Sequence, residues 1–315
     1  MDEKRQHGQY FTVPTINIFE LEPFQQWFSS KNVNVIVEPF AGAGDIPKLL
    51  ELAGFMIDWH LYDIQPQNSQ VIERDTISDF PSGYSIAITN PPYLAKNSAS
   101  RRGLEFPKTN HDDLYKYCLE IMLANCEYVA CIIPESFITQ NLYQDRLSCV
   151  ISLTTEMFSD TECPTCLALF DKESSADFRI FNMNEFVGMF SDLKLKIQQP
   201  LKLKSMVFND PDGEVGLLGV DGTAHSTIQF IHGSEIAPDD IKSTSRAITR
   251  IRVDGVKNLD VFLQVANEIL TLERTDTHDV FMTAFKGLRK DGKFRRRLDF
   301  KSAKRILSVA FEILE

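Results

Sequence analysis

The sequence contains no apolar run of about 18 residues, so no membrane-spanning helix is expected. Its first residues, MDEKRQHGQYF, include no apolar signal region, which argues against secretion. Cysteine is scarce, with six in 315 residues, and without a secretion signal these thiols are expected to be reduced in a cytosol. Cys163-Pro-Thr-Cys166 is a lone CxxC: no second CxxC and no HxxxH supplies the other two ligands of a zinc site. The pair therefore reads as two strand-region thiols, and no metal is expected. Internal repeats and low-complexity tracts are absent as well.

What is present is an ordinary globular composition, 43% hydrophobic and 24% charged, long enough for one large or two ordinary domains with a sizeable core. The net charge of -11 speaks at first against a nucleic-acid partner, but it is unevenly spread. Residues 1–200 carry 15 basic and 27 acidic residues, whereas 201–315 carry 18 and 17. Residues 286–305 hold ten basic and two acidic side chains. An acidic front with a basic end fits a catalytic part joined to a polyanion-touching part. A solvated basic helix face fits the charge equally well.

From Val33 to Lys172 short β-branched runs alternate with helical stretches. Strands are expected at Val33–Glu38, Met56–Ile64, Ser85–Thr89, Tyr128–Ile133, Leu147–Leu153 and Cys166–Asp171. Helices are expected at Asp45–Ala53, Asp112–Asn125 and near Thr139–Arg146. Strand–helix alternation implies βαβ units and a mostly parallel sheet, which binds ligands beyond the carboxyl ends of its strands. A boundary is expected between Glu185 and Gln199. Beyond it Gly and Asp punctuate shorter runs, read as turns and hairpins, before helices at Asn258–Leu272 and Lys301–Leu314.

"VIVEPFAGAGDI" (35–46) leaves the first strand and opens a helix. Gly42 and Gly44 allow a sharp bend and close approach of a ligand. The loop lacks the Lys-Ser/Thr of a triphosphate loop and, with Pro47 in place of a third glycine, departs from G-x-G-x-x-G. Glu38 would repel a phosphate and suits a ligand bearing an amine. Asp63, about 20 residues on, stands where a carboxylate can accept ribose hydroxyls. Asp75 stands where a third strand would end.

"ITNPPYL" (88–94) closes the fourth expected strand. Asn90 offers an amide with an acceptor and donors. Pro91 and Pro92 lack N–H groups and fix φ, so the loop is stiff and presents carbonyls. Tyr93 adds a flat ring with a polar tip. Acceptors beside a stacking surface suit a planar group with an exocyclic –NH2; a rigid exit from a strand would need no more than the prolines.

Together, "VEPFAGAG" after the first strand and "NPPY" after the fourth resemble the S-adenosylmethionine-dependent DNA amino-methyltransferases. "GQYFT" (8–12) looks like that family's N-terminal cofactor motif, and "IIPESF" (132–137) like its segment after the fifth strand. "MFSDTECPTCLALFDK" (157–172) is similar to its late strand region. The motif order is that of the gamma group, mostly N6-adenine enzymes. The resemblance covers roughly residues 8–172.

It implies a Rossmann-like methyltransferase fold with a mostly parallel central sheet, plus a smaller α+β C-terminal region. With the boundary read from composition, this gives a catalytic domain, 1–190; beyond it no family motif is recognised, and 191–315 is expected to be a target-recognition region because that region comes last in the gamma-group order. By the same resemblance Tyr10, Phe11 and Thr12 would line the methionine end of S-adenosylmethionine, and Glu38, Phe40, Ala41 and Gly42 the floor of its pocket. Asp63 would take the ribose and Asp75 the adenine. Asn90, also beside the cofactor, would accept hydrogen bonds from the target amine together with the Pro91 carbonyl. Pro92 stiffens that loop, Tyr93 would stack on the base, and Phe158 would be a second aromatic wall.

The implied partner is double-stranded DNA with its target base flipped out. A cognate restriction endonuclease, and action as a monomer or weak dimer, go with a restriction-modification setting. "SRRGLEFPKTNHDD" (100–113) reads as a mobile polar loop, with Arg101 and Arg102 as phosphate contacts. The basic stretch 286–305, with Lys293, Arg295, Arg296 and Arg297, is the candidate for backbone binding. Cytosine N4, an RNA base and a protein glutamine remain alternative targets. Asn ahead of Pro-Pro-Tyr favours adenine or glutamine over cytosine. A non-catalytic DNA-binding relic is the alternative from another class, against which intact Glu38, Asp63, Asp75, Asn90 and Tyr93 argue.

Overall fold

The computed structural model describes residues 16–154, 163–241 and 246–315. The chain divides into two compact units, Met1–Gly188 and Met189–Glu315.

The first unit is built on a nine-stranded sheet. Its strands are β1 (Val35–Glu38), β2 (Asp58–Asp63), β3 (Ile72–Glu73), β4 (Ile86–Thr89), β5 (Tyr128–Pro134), β6 (Leu147–Leu153), β7 (Thr165–Phe170), β8 (Arg179–Asn182) and β9 (Glu185–Met189). Their order is β3-β2-β1-β4-β5-β7-β6-β8-β9. The pairs from β3 through β5 are all parallel, β7 is antiparallel to both its neighbours, and β6 and β8 are parallel. This is a Rossmann-like α/β fold with a mostly parallel central sheet, as the sequence implies.

The strands are apolar on both faces because helices cover both, as parallel sheets require. On one side Ile36, Ile86, Ile88, Ala130, Ile132, Ile151 and Leu167 pack with Phe24, Trp27 and Phe28 of α1 (Glu22–Ser29) and Ile46 and Leu50 of α2 (Asp45–Leu52). The alternate residues Val37, Ala87, Val129 and Cys131 are equally buried, as are Cys118, Leu119 and Met122 of α4 (Leu114–Asn125).

Two local expectations fail. No helix forms near 139–146. Pro134 ends β5, a 3-10 turn covers Glu135–Thr139, and Asn141 (φ 54°) and Tyr143 (φ 50°) adopt left-handed backbone that α-helix excludes. Arg146 donates instead to the carbonyls of Leu123, Cys126 and Glu127, meeting acceptors that α4 leaves open at its end. The expected loop at 100–113 is in part helix: α3 (Lys96–Arg102) takes in its first three residues, and an Ala95–Asp113 bridge ties its far end back.

The second unit begins with α5 (Phe190–Leu195). Its four-stranded antiparallel sheet contains β10 (Val207–Phe208), β11 (Val215–Leu218), β12 (Gln229–His232) and β13 (Ile248–Arg252), in the order β10-β13-β11-β12. Val215, Leu217, Phe230 and Ile251 pack under α6 (Leu259–Asp276) and α7 (Phe300–Leu314). The helices present Phe262, Ala266, Ile269 and Ala303, Ile306, Leu307, Ala310, the spacing of an amphipathic helix. Asn258 and Asp299 cap their starts, each accepting from a backbone N–H three residues on. Between the helices, β14 (Thr283–Leu288) and β15 (Phe294–Arg297) form a separate two-stranded ribbon.

Candidate functional site

Strand order reverses between β1 and β4: β2 and β3 lie on one side, β5 on the other. Such a switch point leaves a crevice beyond the carboxyl ends of the strands. Glu38 pairs with Leu61, Val37 with Ala87, and Thr89 with Cys131. Carried on, this register sets Phe40, Asp63, Asn90 and Ile132 at one level, so the motifs after β1, β2 and β4 meet at one end of the sheet.

The glycine loop is held from several sides. Gly42 (φ 51°) and Gly44 (φ 72°) are left-handed, and a Cβ on Gly44 would stand 3.2 Å from the Asn68 amide. The Gly42 N–H donates to Asp63 Oδ2 at 2.8 Å, and the Ala41 N–H to the Tyr62 carbonyl at 2.9 Å. The segment after β2 closes over the loop: the Gln67 N–H donates to the Gly42 carbonyl (3.2 Å) and Asn68 Nδ2 to the Ala43 carbonyl (2.7 Å). Thr76 Oγ1 donates to the Pro39 carbonyl at 2.8 Å, tying in the segment that carries Asp75. Nothing in "QPQNSQ" distinguishes Gln67 and Asn68 from turn residues, and only the three-dimensional register reveals them.

Glu38 is buried at the tip of β1, and its Oε2 has no hydrogen-bond partner among the described residues. Burial pushes its carboxyl well above the usual carboxylate range, and the charges of Asp45 and Asp63 push it further. Burial also raises Asp63, against the lowering effect of N–H groups from Gln65 and Gly42. Asp63 Oδ2 accepts the Gly42 N–H and its Oδ1 the Gln65 N–H, both at 2.8 Å. Asp75 is exposed and closes its own turn, accepting from the Ile77 N–H (3.1 Å) and Ser78 Oγ (2.8 Å).

Asn90 follows β4 directly, and the Tyr93 hydroxyl lies 2.7 Å from its Oδ1 and 2.6 Å from the Ile132 carbonyl. The ring packs against the main core, edge-on to Tyr115 with centroids 6.1 Å apart. Burial, with Cys163 next in effect, pushes the phenol well above its ordinary value, so it remains a donor. Tyr93 is thus a fixed wall rather than a swinging platform. Phe40 packs with Ile77, Leu94 and Leu114, Ala41 with Leu61 and Val71; Pro91 is buried and Pro92 half-buried.

Tyr10, Phe11, Thr12 and Phe158 lie outside the described residues. Arg101 and Arg102 end α3, exposed, and Arg101 bonds back to Asn97 and Ser98 of its own helix. Lys293 is exposed at the ribbon's turn; Arg295, Arg296 and Arg297 are half-buried in β15. Cys166 is buried in β7, and burial raises its thiol well above the usual range. No group of three or more metal-ligating side chains occurs among the described residues. No helix among them is long and apolar enough to cross a membrane.

No protein-family model and no curated protein matches the chain. Solved structures do. It is similar to the type I restriction-modification system methyltransferase subunit from Streptococcus thermophilus (TM-score 0.40, 14% identity, 56% of this chain and 48% of that one). It is similar to the type IIG restriction endonuclease BpuSI (TM-score 0.39, 14% identity, 58% and 28%). It is also similar to the type I restriction enzyme EcoKI M protein (TM-score 0.36, 12% identity, 89% and 66%). The chain spans about half the length of the Streptococcus subunit.

Proposed function

We propose that this protein is an S-adenosylmethionine-dependent methyltransferase whose substrate is the N6 amino group of adenine in double-stranded DNA, in a restriction-modification setting. The observation that carries the reading is Glu38: a buried carboxylate oxygen without a partner among the described residues, at the switch point of the sheet, beside a tethered glycine loop. A buried polar group without a hydrogen bond costs roughly 1–3 kcal/mol, more when charged. A ligand amine, such as that of the cofactor's methionine end, supplies the missing donor. Asp63 accepts the ribose hydroxyls and Asp75 the adenine amine.

The bound cofactor supplies an electrophilic methyl on a sulfonium, so neither a metal nor a covalent enzyme intermediate is required. The protein's task is to prepare the nucleophile. An aromatic amine delocalises its lone pair into the ring. Asn90 Oδ1 and the Pro91 carbonyl accept its two hydrogens, favouring a pyramidal nitrogen with a localised lone pair. Positioning and electrostatics then account for most of the acceleration. The target base leaves the duplex to reach this crevice, at a few kcal/mol. The prolines keep both acceptors fixed before the base arrives.

The test is a product analysis. The protein is incubated with labelled S-adenosylmethionine and unmethylated DNA, and the nucleosides are separated by mass. Label in N6-methyldeoxyadenosine is expected. Label in N4-methylcytosine keeps the mechanism and overturns the base. Cofactor binding with no label in DNA moves the substrate to RNA or a protein glutamine. No cofactor binding overturns the enzyme reading and leaves a DNA-binding relic.

A further inference from the structure

We infer that the β14–β15 ribbon is the duplex-engaging element of the second unit, and that its phosphate contacts are Lys286, Lys290 and Lys293 rather than the arginines that dominate the same stretch of sequence. The inference rests on the DNA reading above and assigns that substrate a docking element.

The arginines of this stretch are largely committed inside the unit. Asp221 is completely buried, and Arg289 binds its Oδ2 at 3.1 Å. Arg289 also holds Asp291, the ribbon's one acidic residue, through two hydrogen bonds of 3.0 and 2.8 Å. Arg295 donates to the Asp221 carbonyl at 2.7 Å and lies over the Phe285 ring at 5.0 Å. Arg305 grips both oxygens of Glu273 at 2.6 Å. Arg297 is the exception: it is half-buried, and its buried Nε has no hydrogen-bond partner among the described residues. Lys286, Lys290 and Lys293 are different: all three are exposed and make no ion pair with any described residue.

Lys286 lies in β14, and the turn that carries Lys290 and Lys293 is stiff. The Arg289 N–H donates to the Lys293 carbonyl (2.8 Å) and the Gly292 N–H to the Arg289 carbonyl (3.0 Å), with Gly292 at φ 79°. Asp291 Oδ1 accepts the Lys293 N–H at 3.2 Å, and the Lys290 N–H donates to the Thr223 carbonyl at 2.9 Å. The chain Asp221–Arg289–Asp291 therefore fixes the turn from the core outward and cancels the one negative charge among the lysines. A turn ordered in advance loses little entropy on binding. A two-stranded ribbon matches the width of the major groove of B-DNA, and lysines on it supply sequence-independent contacts to phosphates.

The experiment is equilibrium binding of the full chain to a random-sequence duplex across a salt series, for the wild type and for Lys286→Ala/Lys290→Ala/Lys293→Ala. Three lost phosphate contacts should lower the slope of log K against log salt by roughly 2.7, at about 0.9 per contact. The melting temperature should be unchanged, because the lysines are exposed. A wild-type slope and affinity in the triple variant overturn the ribbon and leave the DNA reading standing. No duplex binding by the wild type overturns both. A slope loss on single strands with none on the duplex also overturns the duplex assignment.

Discussion

The two units bury acidic side chains in opposite ways. In the first, Glu38 is sealed at a strand tip with an oxygen that meets no donor among the described residues, and its carboxyl is pushed up. In the second, Asp221 accepts from Arg274 at 3.0 and 2.9 Å, from Arg289, and from the N–H groups of Thr227 and Arg296. Burial alone would raise Asp221, yet the Arg274 guanidinium and these N–H groups outweigh it and bring it down to about 2. A buried carboxylate answered by arginines belongs to the architecture. One left unanswered among the described residues, at the end of a parallel sheet, is the group on which the proposed cofactor site rests.

The largest expected effect tests the answered carboxylate. Asp221→Asn leaves Arg274 and Arg289 facing a neutral group, and breaking a buried pair from one side costs about 3–5 kcal/mol. Urea unfolding at pH 7 should show that loss. Because the folded value lies below the unfolded one, the stabilisation is complete above the ordinary carboxylate range. It drains as pH falls toward 2. Wild type and variant should therefore converge in acid, and an unchanged gap at pH 2.5 would show that the stabilisation is not ionic.

Next comes Asn90. Asn90→Ala should lower the single-turnover rate by ~10²–10³-fold, the usual loss for one preorganised polar group aimed at a transition state. Cofactor affinity, measured by calorimetry, should stay within a few-fold. A near-normal rate would remove Asn90 from the chemistry.

Glu38→Gln sharpens the contrast, because it should improve stability and damage function together. The raised carboxyl makes the folded state less stable as pH climbs from the unfolded carboxylate range through the folded value. The glutamine variant lacks that term, so its ligand-free melting temperature at pH 8 should exceed the wild type's by roughly 2–6 °C, shrinking in acid. Cofactor binding should fall at least tenfold. A variant that is both less stable and fully competent would show that Glu38 already has its partner inside the protein.

The contrast also explains what was legible. Periodicity located the strands at Leu147–Leu153 and Tyr128–Pro134 almost to the residue, because both faces of this sheet are buried and its strands read as unbroken apolar runs. The ends of β1, β2 and β4 were legible because each closes on a short polar punctuation, Glu38, Asp63 and Asn90. The expected helix near 139–146 was not excluded by composition; left-handed residues at Asn141 and Tyr143 broke it, and backbone handedness at non-glycine positions leaves no mark on a hydrophobic pattern. The clamp of Gln67 and Asn68 depends on register between segments distant in sequence. In the second unit a run of arginines reads as a surface. Only the fold reveals that Arg289 and Arg305 answer Asp221 and Glu273 from 68 and 32 residues away.

The smallest effect tests the finest detail of the unanswered site. The Tyr93 hydroxyl has one hydrogen and two acceptors in range, the Ile132 carbonyl at 2.6 Å and Asn90 Oδ1 at 2.7 Å. A proton given to Ile132 leaves Asn90 Oδ1 its full accepting power toward the substrate amine, while a proton given to Asn90 fixes the amide's direction and weakens it as an acceptor. In the second state the phenol governs Asn90 separately from the ring's packing against Tyr115. Tyr93→Phe keeps the ring and removes that control. One neutral hydrogen bond is worth about 0.5–1.5 kcal/mol, so the single-turnover rate should fall roughly two- to tenfold with KM for DNA and cofactor affinity unchanged. An equal rise in KM with an unaltered rate would mean that Tyr93 acts through the stacking face alone. An unchanged rate and KM would leave Asn90 oriented by the proline loop without help from the phenol.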